Sequence, residues 1–153
     1  MKLKKQWKDI ILNTKMFIVV DSNVVISAAL NKGNSLNVFL ENFRNKKFDF
    51  IAPQFLFIEV GKHTNKIAGK TNFSFEESQE MLEFIISQIR FIQDDEFKDK
   101  LEEARKMLEH HNKDAHYLAL ALDFNCKIFS GDKTLKSIIP SKVITPKELL
   151  EEF

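Results

Sequence analysis

The chain has 153 residues, the size of one compact domain with a substantial hydrophobic core. Hydrophobic residues make up 44% and charged residues 29%, which is the composition of an ordinary globular protein. The formal net charge of +1 excludes the strongly basic character of many nucleic-acid-binding proteins and restricts any such contact to a local surface. Cys126 is the only cysteine, so no disulfide framework can form.

The amino-terminal segment is not expected to form a signal peptide. Residues 1–15 are basic, and their apolar residues are interspersed with charges instead of forming the core of a signal peptide. The longest uncharged stretches of the chain are too short to span a membrane. We therefore expect a cytoplasmic protein in which residues 1–15 form an extension and residues 16–153 form one domain.

Hydrophobic patterning predicts strands that alternate with helices. In chain order, the predicted elements are a strand at 16–21, helices at 22–30 and 35–44, a strand at 48–52, helices at 54–66 and 73–87, a strand at 89–93, helices at 95–110 and 114–122, a strand at 127–130, a helix at 132–138, a strand at 142–144 and a last helix starting at 145. This alternation predicts a three-layer α/β/α sandwich with a mostly parallel central sheet.

Two of the predicted helices begin with capping signals. Ser74 followed by Glu77, and Thr145 followed by Glu148, each fit a capping box. Pro146 occupies the first helical position of the last helix, where its fixed φ angle is favourable.

Four acids border or interrupt segments that are otherwise apolar: Asp21, Glu59, Asp114 and Asp132. Asp21 and Asp132 lie just past the carboxyl ends of predicted strands, and Asp114 begins a helix in the same layer of connections. Ligands of open parallel sheets bind outside the carboxyl ends of the strands, so these acids can converge although they are far apart in sequence.

Each of these acids also has a purely structural explanation. Aspartate is a good N-cap, and Asp21, Asp114 and Asp132 all precede predicted helices. The alternative for Glu59 is a solvated edge position, although the apolar residues around it make burial of an unpaired carboxylate unfavourable.

Clustered carboxylates raise one another's pKa values unless a cation neutralises them. An all-oxygen donor set favours Mg²⁺ or Mn²⁺, and no Cys/His spacing typical of zinc is present. The expected chemistry is phosphodiester hydrolysis, because a bound cation lowers the pKa of a water molecule and stabilises the charge on the phosphate.

Four segments, VVDSNVVISA, FIEV, KDAHYLALAL and FSGDKTL, occur in the order found in the PIN-domain family. The chain from about Met16 onward resembles this family of metal-dependent ribonucleases, which includes the toxins of VapBC-type toxin–antitoxin modules. Residues 1–15 precede the usual start of the family, and the helix at 73–87 fits its variable insert.

The resemblance implies that the four acids bind the metal, with Asp21 and Asp132 as the principal ligands. The other two would complete the pocket and help to activate the attacking water. Asn23 and Ser130 match polar positions that hold the carboxylates in orientation. The resemblance further implies an endoribonuclease that uses Mg²⁺ or Mn²⁺ on an RNA substrate, an antitoxin protein that occupies the acidic pocket, and a homodimer.

Basic residues near the acids are weaker candidates. Lys62, Lys66 and Lys133 could contact RNA phosphates, but a solvated helix face is the favoured interpretation. His110 and His111 are expected at the end of a helix, where a positive charge suits the helix dipole, and not in a metal site.

One other function stays open, and a second lacks support. A non-catalytic PIN-like module that binds RNA or protein is compatible with the low net charge. A phosphomonoester hydrolase with an aspartate nucleophile would need a second acid two residues after Asp21, where the chain has Asn23.

Overall fold

The computed structural model describes residues 6, 7, 10, 16–70 and 73–153, apart from the side chains of residues 64–70. The boundary predicted between residues 1–15 and the domain therefore stays a prediction. No helix in these ranges combines the length and apolar character needed to cross a membrane.

The centre of the fold is a five-stranded sheet in the order β3-β2-β1-β4-β5, with every pairing parallel. The strands are β1 (Phe17–Val20), β2 (Asp49–Pro53), β3 (Ile89–Ile92), β4 (Lys127–Phe129) and β5 (Val143–Ile144). The register pairs Val20 with Phe129, so β1 and β4 end at the same level. The Asp21 N–H donates to the Phe129 carbonyl at 3.1 Å, which brings the two following loops together.

Helices cover this sheet, which confirms the predicted α/β/α sandwich. They are α1 (Ser22–Leu30), α2 (Asn34–Asn45), α3 (Phe55–Lys70), α4 (Phe75–Ser87), α5 (Leu101–Leu108), α6 (Ala115–Phe124), α7 (Lys133–Ile138) and α8 (Pro146–Leu150). Helix α1 packs against α2, α3 and α4, while α6 packs against α5, β1 and β2. Because α6 is enclosed in this way, it is apolar on nearly every face.

Aromatic residues fill much of the core beneath the strands. The ring of Phe39 in α2 meets those of Phe50 at 5.4 Å and Phe129 at 5.7 Å. All three side chains are buried. Edge-to-face and tilted ring contacts of this kind add to the free energy gained from burying apolar area. They pack α2 against β2 and β4.

The helix predicted at 95–110 is wrong in its first part. Two 3₁₀ turns, Asp94–Glu96 and Lys98–Lys100, precede α5. Phe97 between them is completely buried, with a backbone at φ −126° and ψ 7° that lies outside the helical region. The amphipathic pattern predicts that Phe97 is buried, as observed, but it does not predict the break in the helix at this residue.

The predicted helix starts are partly confirmed. The Thr145–Glu148 capping box is complete. At Ser74 only half of the box forms, because the Glu77 carboxylate accepts from the Ser74 hydroxyl instead of the Ser74 backbone N–H. Helix α2 begins at Asn34 with Gly33 as its N-cap, two residues before Ser35, which is the N-cap that the sequence predicts.

Candidate metal centre

The four acids singled out in the sequence line one cavity of about 450 Å³ at the carboxyl ends of the strands. Asp21 follows β1, Glu59 lies in the second turn of α3, Asp114 precedes α6 and Asp132 precedes α7. The rest of the wall consists of Ser22, Asn23, Ile26, Ser27, Leu30, Asn31, His63 and Lys113. The parallel sheet thus assembles acids that are up to 111 positions apart in the chain.

Asp21 is almost inaccessible, with 3% of its surface exposed. The Ser130 hydroxyl donates to its Oδ2 at 2.7 Å, and the Ser22 hydroxyl lies 3.4 Å from its Oδ1. Burial raises the pKa of Asp21 to about 7, with a smaller rise from the charges of Asp114 and Glu59 and an opposing effect of the Ser130 hydrogen bond. Asp21 occupies the N-cap position of α1, as predicted, without a side-chain hydrogen bond of good geometry to the first turn; the backbone N–H of Asn23 still lowers its pKa.

Asp114 is also buried and also makes no capping bond to its helix. Its Oδ2 lies 2.9 Å from Nε2 of His111, an ion-pair distance. Neither atom has a partner in hydrogen-bond geometry among the described residues. Burial raises the pKa of Asp114, while the charges of His111 and Lys113 lower it. Oδ2 of Asp114 is therefore a buried carboxylate oxygen beside the His111 imidazole, without a hydrogen bond from the described residues.

Asp132 divides its two oxygens between a structural and a site contact. Oδ1 accepts the backbone N–H groups of Thr134 at 2.9 Å and Leu135 at 3.1 Å, which caps α7. Oδ2 lies 3.6 Å from Nε2 of His111 and 4.0 Å from Nζ of Lys113. Asp132 therefore both caps α7 and contributes an oxygen atom to the acidic cluster.

Ser130 and Asn23 tie the loops after β1 and β4 together, beneath the acids. Asn23 Nδ2 donates to Ser130 Oγ at 3.2 Å, and the Gly131 N–H donates to Asn23 Oδ1 at 3.1 Å. The Asp132 N–H donates to the same Ser130 hydroxyl at 3.1 Å. Since that hydroxyl also donates to Asp21, Ser130 contacts the acids of both loops. This placement is what the predicted orienting role of Ser130 and Asn23 requires.

We expect Ser130→Ala to weaken divalent metal binding by about 10- to 100-fold, the usual effect of removing a group that orients a ligand. The variant leaves the Asp21 carboxylate without its 2.7 Å donor. Calorimetric titration of the metal-free protein with Mn²⁺ measures the change. Ser137→Ala is a matched control, because its hydroxyl donates to a backbone carbonyl on the exposed side of α7. Equal Mn²⁺ affinities in the two variants would refute the orienting role.

Glu59 is half-buried and has a partner that sequence reasoning missed. The Tyr117 hydroxyl donates to Glu59 Oε1 at 2.5 Å from within the core. Burial raises the pKa of Tyr117, so the phenol stays protonated and acts as the donor. One oxygen of Glu59 is held by Tyr117, and the other is left for the cavity. The only signal in the sequence was a tyrosine in the otherwise apolar segment that follows Asp114.

Two of the three lysines predicted to contact RNA lie away from the wall of the acidic cavity. Lys62 and Lys133 are exposed and do not line the cavity, and the side chain of Lys66 lies outside the described residues. Lys113 and His63 line the wall instead. Lys113 could have been considered from the sequence, since it directly precedes Asp114.

His111 lies past the end of α5, where its backbone N–H donates to the Leu108 carbonyl at 2.9 Å. This agrees with the predicted position near a helix end, but its side chain turns toward the acids. One donor atom each from His111, Asp114 and Asp132 lies within 4.8 Å of the others. In the sequence, Asp114 follows His111 by three residues. A 3₁₀ turn over Asn112–Asp114 brings residues at this spacing into contact.

Comparison with known proteins agrees with this geometry. A sequence profile of the PIN domain matches residues 19–143. The crystal structure of PAE2754 from Pyrobaculum aerophilum is similar to this fold with a TM-score of 0.66, at 14% identity over 90% of this chain and 88% of that chain. No curated protein gave a significant match. The profile covers most of the domain, and the chain therefore belongs to the PIN-domain family.

Proposed function

We propose that the protein is a metal-dependent endoribonuclease that hydrolyses phosphodiester bonds of RNA. The observation that carries this proposal is the convergence of four acids from distant parts of the chain on one open cavity. PIN domains are generally nucleases that use divalent metals, so the fold and the acidic cavity support the same chemistry.

The donor set fits a hard divalent cation. Buried Oδ2 of Asp114 lacks a hydrogen-bond partner among the described residues, and Asp21 is buried close enough to two other acids for their charges to raise its pKa. Uncompensated buried carboxylates are unfavourable, and a cation between them removes that penalty. Carboxylate oxygens suit Mg²⁺ and Mn²⁺, and we propose that Asp21, Asp114, Asp132 and Glu59 bind one of these ions.

A bound cation would lower the pKa of a water molecule and neutralise charge on the phosphate. The protein's own residues position the other participants. Tyr117 holds Oε1 of Glu59, so that the second oxygen can accept a proton from the attacking water. Lys113 and His63 line the same cavity and can neutralise phosphate oxygens of the RNA. Ser130 keeps Asp21 in place.

Cleavage of a labelled RNA in the presence of Mg²⁺, Mn²⁺ or EDTA tests the proposal. We expect endonucleolytic products with either metal, loss of cleavage in EDTA and recovery when metal is added in excess. Cleavage that persists in EDTA would contradict the mechanism. If the folded protein bound Mn²⁺ and RNA but cleaved no RNA, the non-catalytic PIN-like module would be the better description.

We further propose that the protein acts in the cytoplasm as the toxin of a toxin–antitoxin pair and forms a homodimer. A protein partner is supported by large apolar side chains exposed on helices α2 to α4. The exposed fractions are 49–60% for four side chains: Phe43, Phe57, Ile58 and Phe75. Exposed apolar patches mark protein–protein interaction sites. Light scattering of the purified protein measures the dimer. Inhibition of cleavage by the protein of a neighbouring open reading frame tests the antitoxin, and absence of inhibition would argue against it.

A further inference from the structure

One imidazole lies among the acids of the candidate centre. Nε2 of His111 is 2.9 Å from Oδ2 of Asp114 and 3.6 Å from Oδ2 of Asp132. Adjacent ligand atoms of an octahedral ion with bonds of about 2.1 Å lie about 3 Å apart. The separations around His111 are therefore close to those of neighbouring positions on a shared cation.

Two of these three donor atoms lack a hydrogen-bond partner among the described residues. Asp114 is at least nine-tenths buried, and neither its Oδ2 nor Nε2 of His111 has a hydrogen-bond partner among the residues that the structure describes. Asp132 uses Oδ1 to cap α7, which leaves Oδ2 toward the imidazole. Buried polar atoms are normally paired, so this arrangement points to a ligand that completes it.

We propose that His111 is a nitrogen ligand of the metal centre and that the protein consequently prefers Mn²⁺ to Mg²⁺. Imidazole binds transition metals well, whereas Mg²⁺ favours oxygen ligands and water. Carboxylates accept either ion, so the nitrogen atom is the element of this donor set that discriminates between them. The inference rests on the proposed function, because it specifies the cation of the same site.

The competing explanation is that His111 only forms an ion pair with Asp114. A histidine in that role would supply positive charge where the cation binds. Its removal would then leave the affinity for both metals unchanged or increase it, because the acids would become more negative. Ligation predicts the opposite for Mn²⁺.

The test compares the wild-type protein, His111→Gln and the matched control His110→Gln. His110 is the neighbouring histidine, and its side chain is exposed. Metal-free samples are titrated with Mn²⁺ and with Mg²⁺ in a calorimeter. We expect His111→Gln to lose about 10-fold or more in Mn²⁺ affinity and less than about threefold in Mg²⁺ affinity. The control should match the wild type for both ions. Equal losses for both ions, or no loss of Mn²⁺ affinity, would overturn the proposal.

Pulsed electron paramagnetic resonance of the Mn²⁺-loaded wild-type protein is a second measurement that needs no folded variant. Coupling of the manganese to a directly bound ¹⁴N nucleus is expected in the wild type and in His110→Gln. Its absence from the wild type, or its persistence in a folded His111→Gln protein, would also overturn the assignment.

These measurements separate the two proposals. Nitrogen coupling and Mn²⁺ selectivity without any RNA cleavage would refute the endoribonuclease and leave the ligand assignment standing. Metal-dependent cleavage without nitrogen coupling would support the endoribonuclease and refute the role of His111.

Discussion

Asp21→Asn should reduce the rate of RNA cleavage at saturating Mn²⁺ by about 100-fold or more, the usual scale for removing a fixed charge from an active site. Asparagine has nearly the size of aspartate, and its amide oxygen can still accept the 2.7 Å hydrogen bond from Ser130. The substitution therefore removes the negative charge while the cavity keeps its shape. Single-turnover cleavage of a labelled RNA measures the loss.

Asp95→Asn is the matched control for this substitution. Asp95 is 81% exposed and lies 3.7 Å from Lys98 on the surface, outside the residues that line the cavity. Exposed ion pairs of this kind contribute little, so the control should cleave RNA at close to the wild-type rate. Wild-type activity in Asp21→Asn would exclude Asp21 as a metal ligand.

The same substitution should stabilise the metal-free protein at neutral and alkaline pH. The folded state raises the pKa of Asp21 from 3.8 to about 7, so between these values the folded chain keeps a proton that the unfolded chain releases. Stability contributed by this group is present in acid and is lost as the pH rises through that interval. The loss amounts to at most about 4 kcal/mol above pH 7. Asparagine has no proton to release and avoids it.

Urea denaturation in EDTA at pH 5 and pH 8 measures this effect. We expect the difference in free energy of unfolding between Asp21→Asn and the wild type to grow in favour of the variant from pH 5 to pH 8. Asp95→Asn should show no such change. Mn²⁺ at about 100 times its Kd should shrink the variant's advantage, because it stabilises the wild type by about 2.7 kcal/mol and binds the variant weakly. A wild type more stable than Asp21→Asn in EDTA at pH 8 would contradict the unfavourable burial.

The two expectations describe one compromise. Asp21 is retained at a position where its charge destabilises the metal-free fold, since burial raises its pKa. A bound cation would offset the unfavourable burial of this charge. Such a conflict between stability and local charge is expected at a functional site and not at an ordinary helix cap.

Local patterning was enough to predict the alternation of strands and helices and the position of the acids at strand ends. These features depend on neighbouring residues, such as the apolar run before Asp21 or the Thr145–Glu148 box. The same reasoning failed at the start of 95–110, where two 3₁₀ turns replace the predicted helix and Phe97 lies outside helical geometry. It did not single out Lys113, whose side chain lies beside the acids.

Whether each acid caps a helix or lies in the candidate metal centre depends on the tertiary structure. Three aspartates were equally plausible caps in the sequence, yet only Asp132 caps its helix with side-chain hydrogen bonds. Tyr117 reaches Glu59 across 58 positions and Ser130 reaches Asp21 across 109. Contacts over such separations are set by the parallel sheet that brings the loops together, and a one-dimensional pattern does not contain them. The sequence therefore indicates which acids belong to the site, while the packed fold decides which oxygen of each faces the cavity and that His111 joins them.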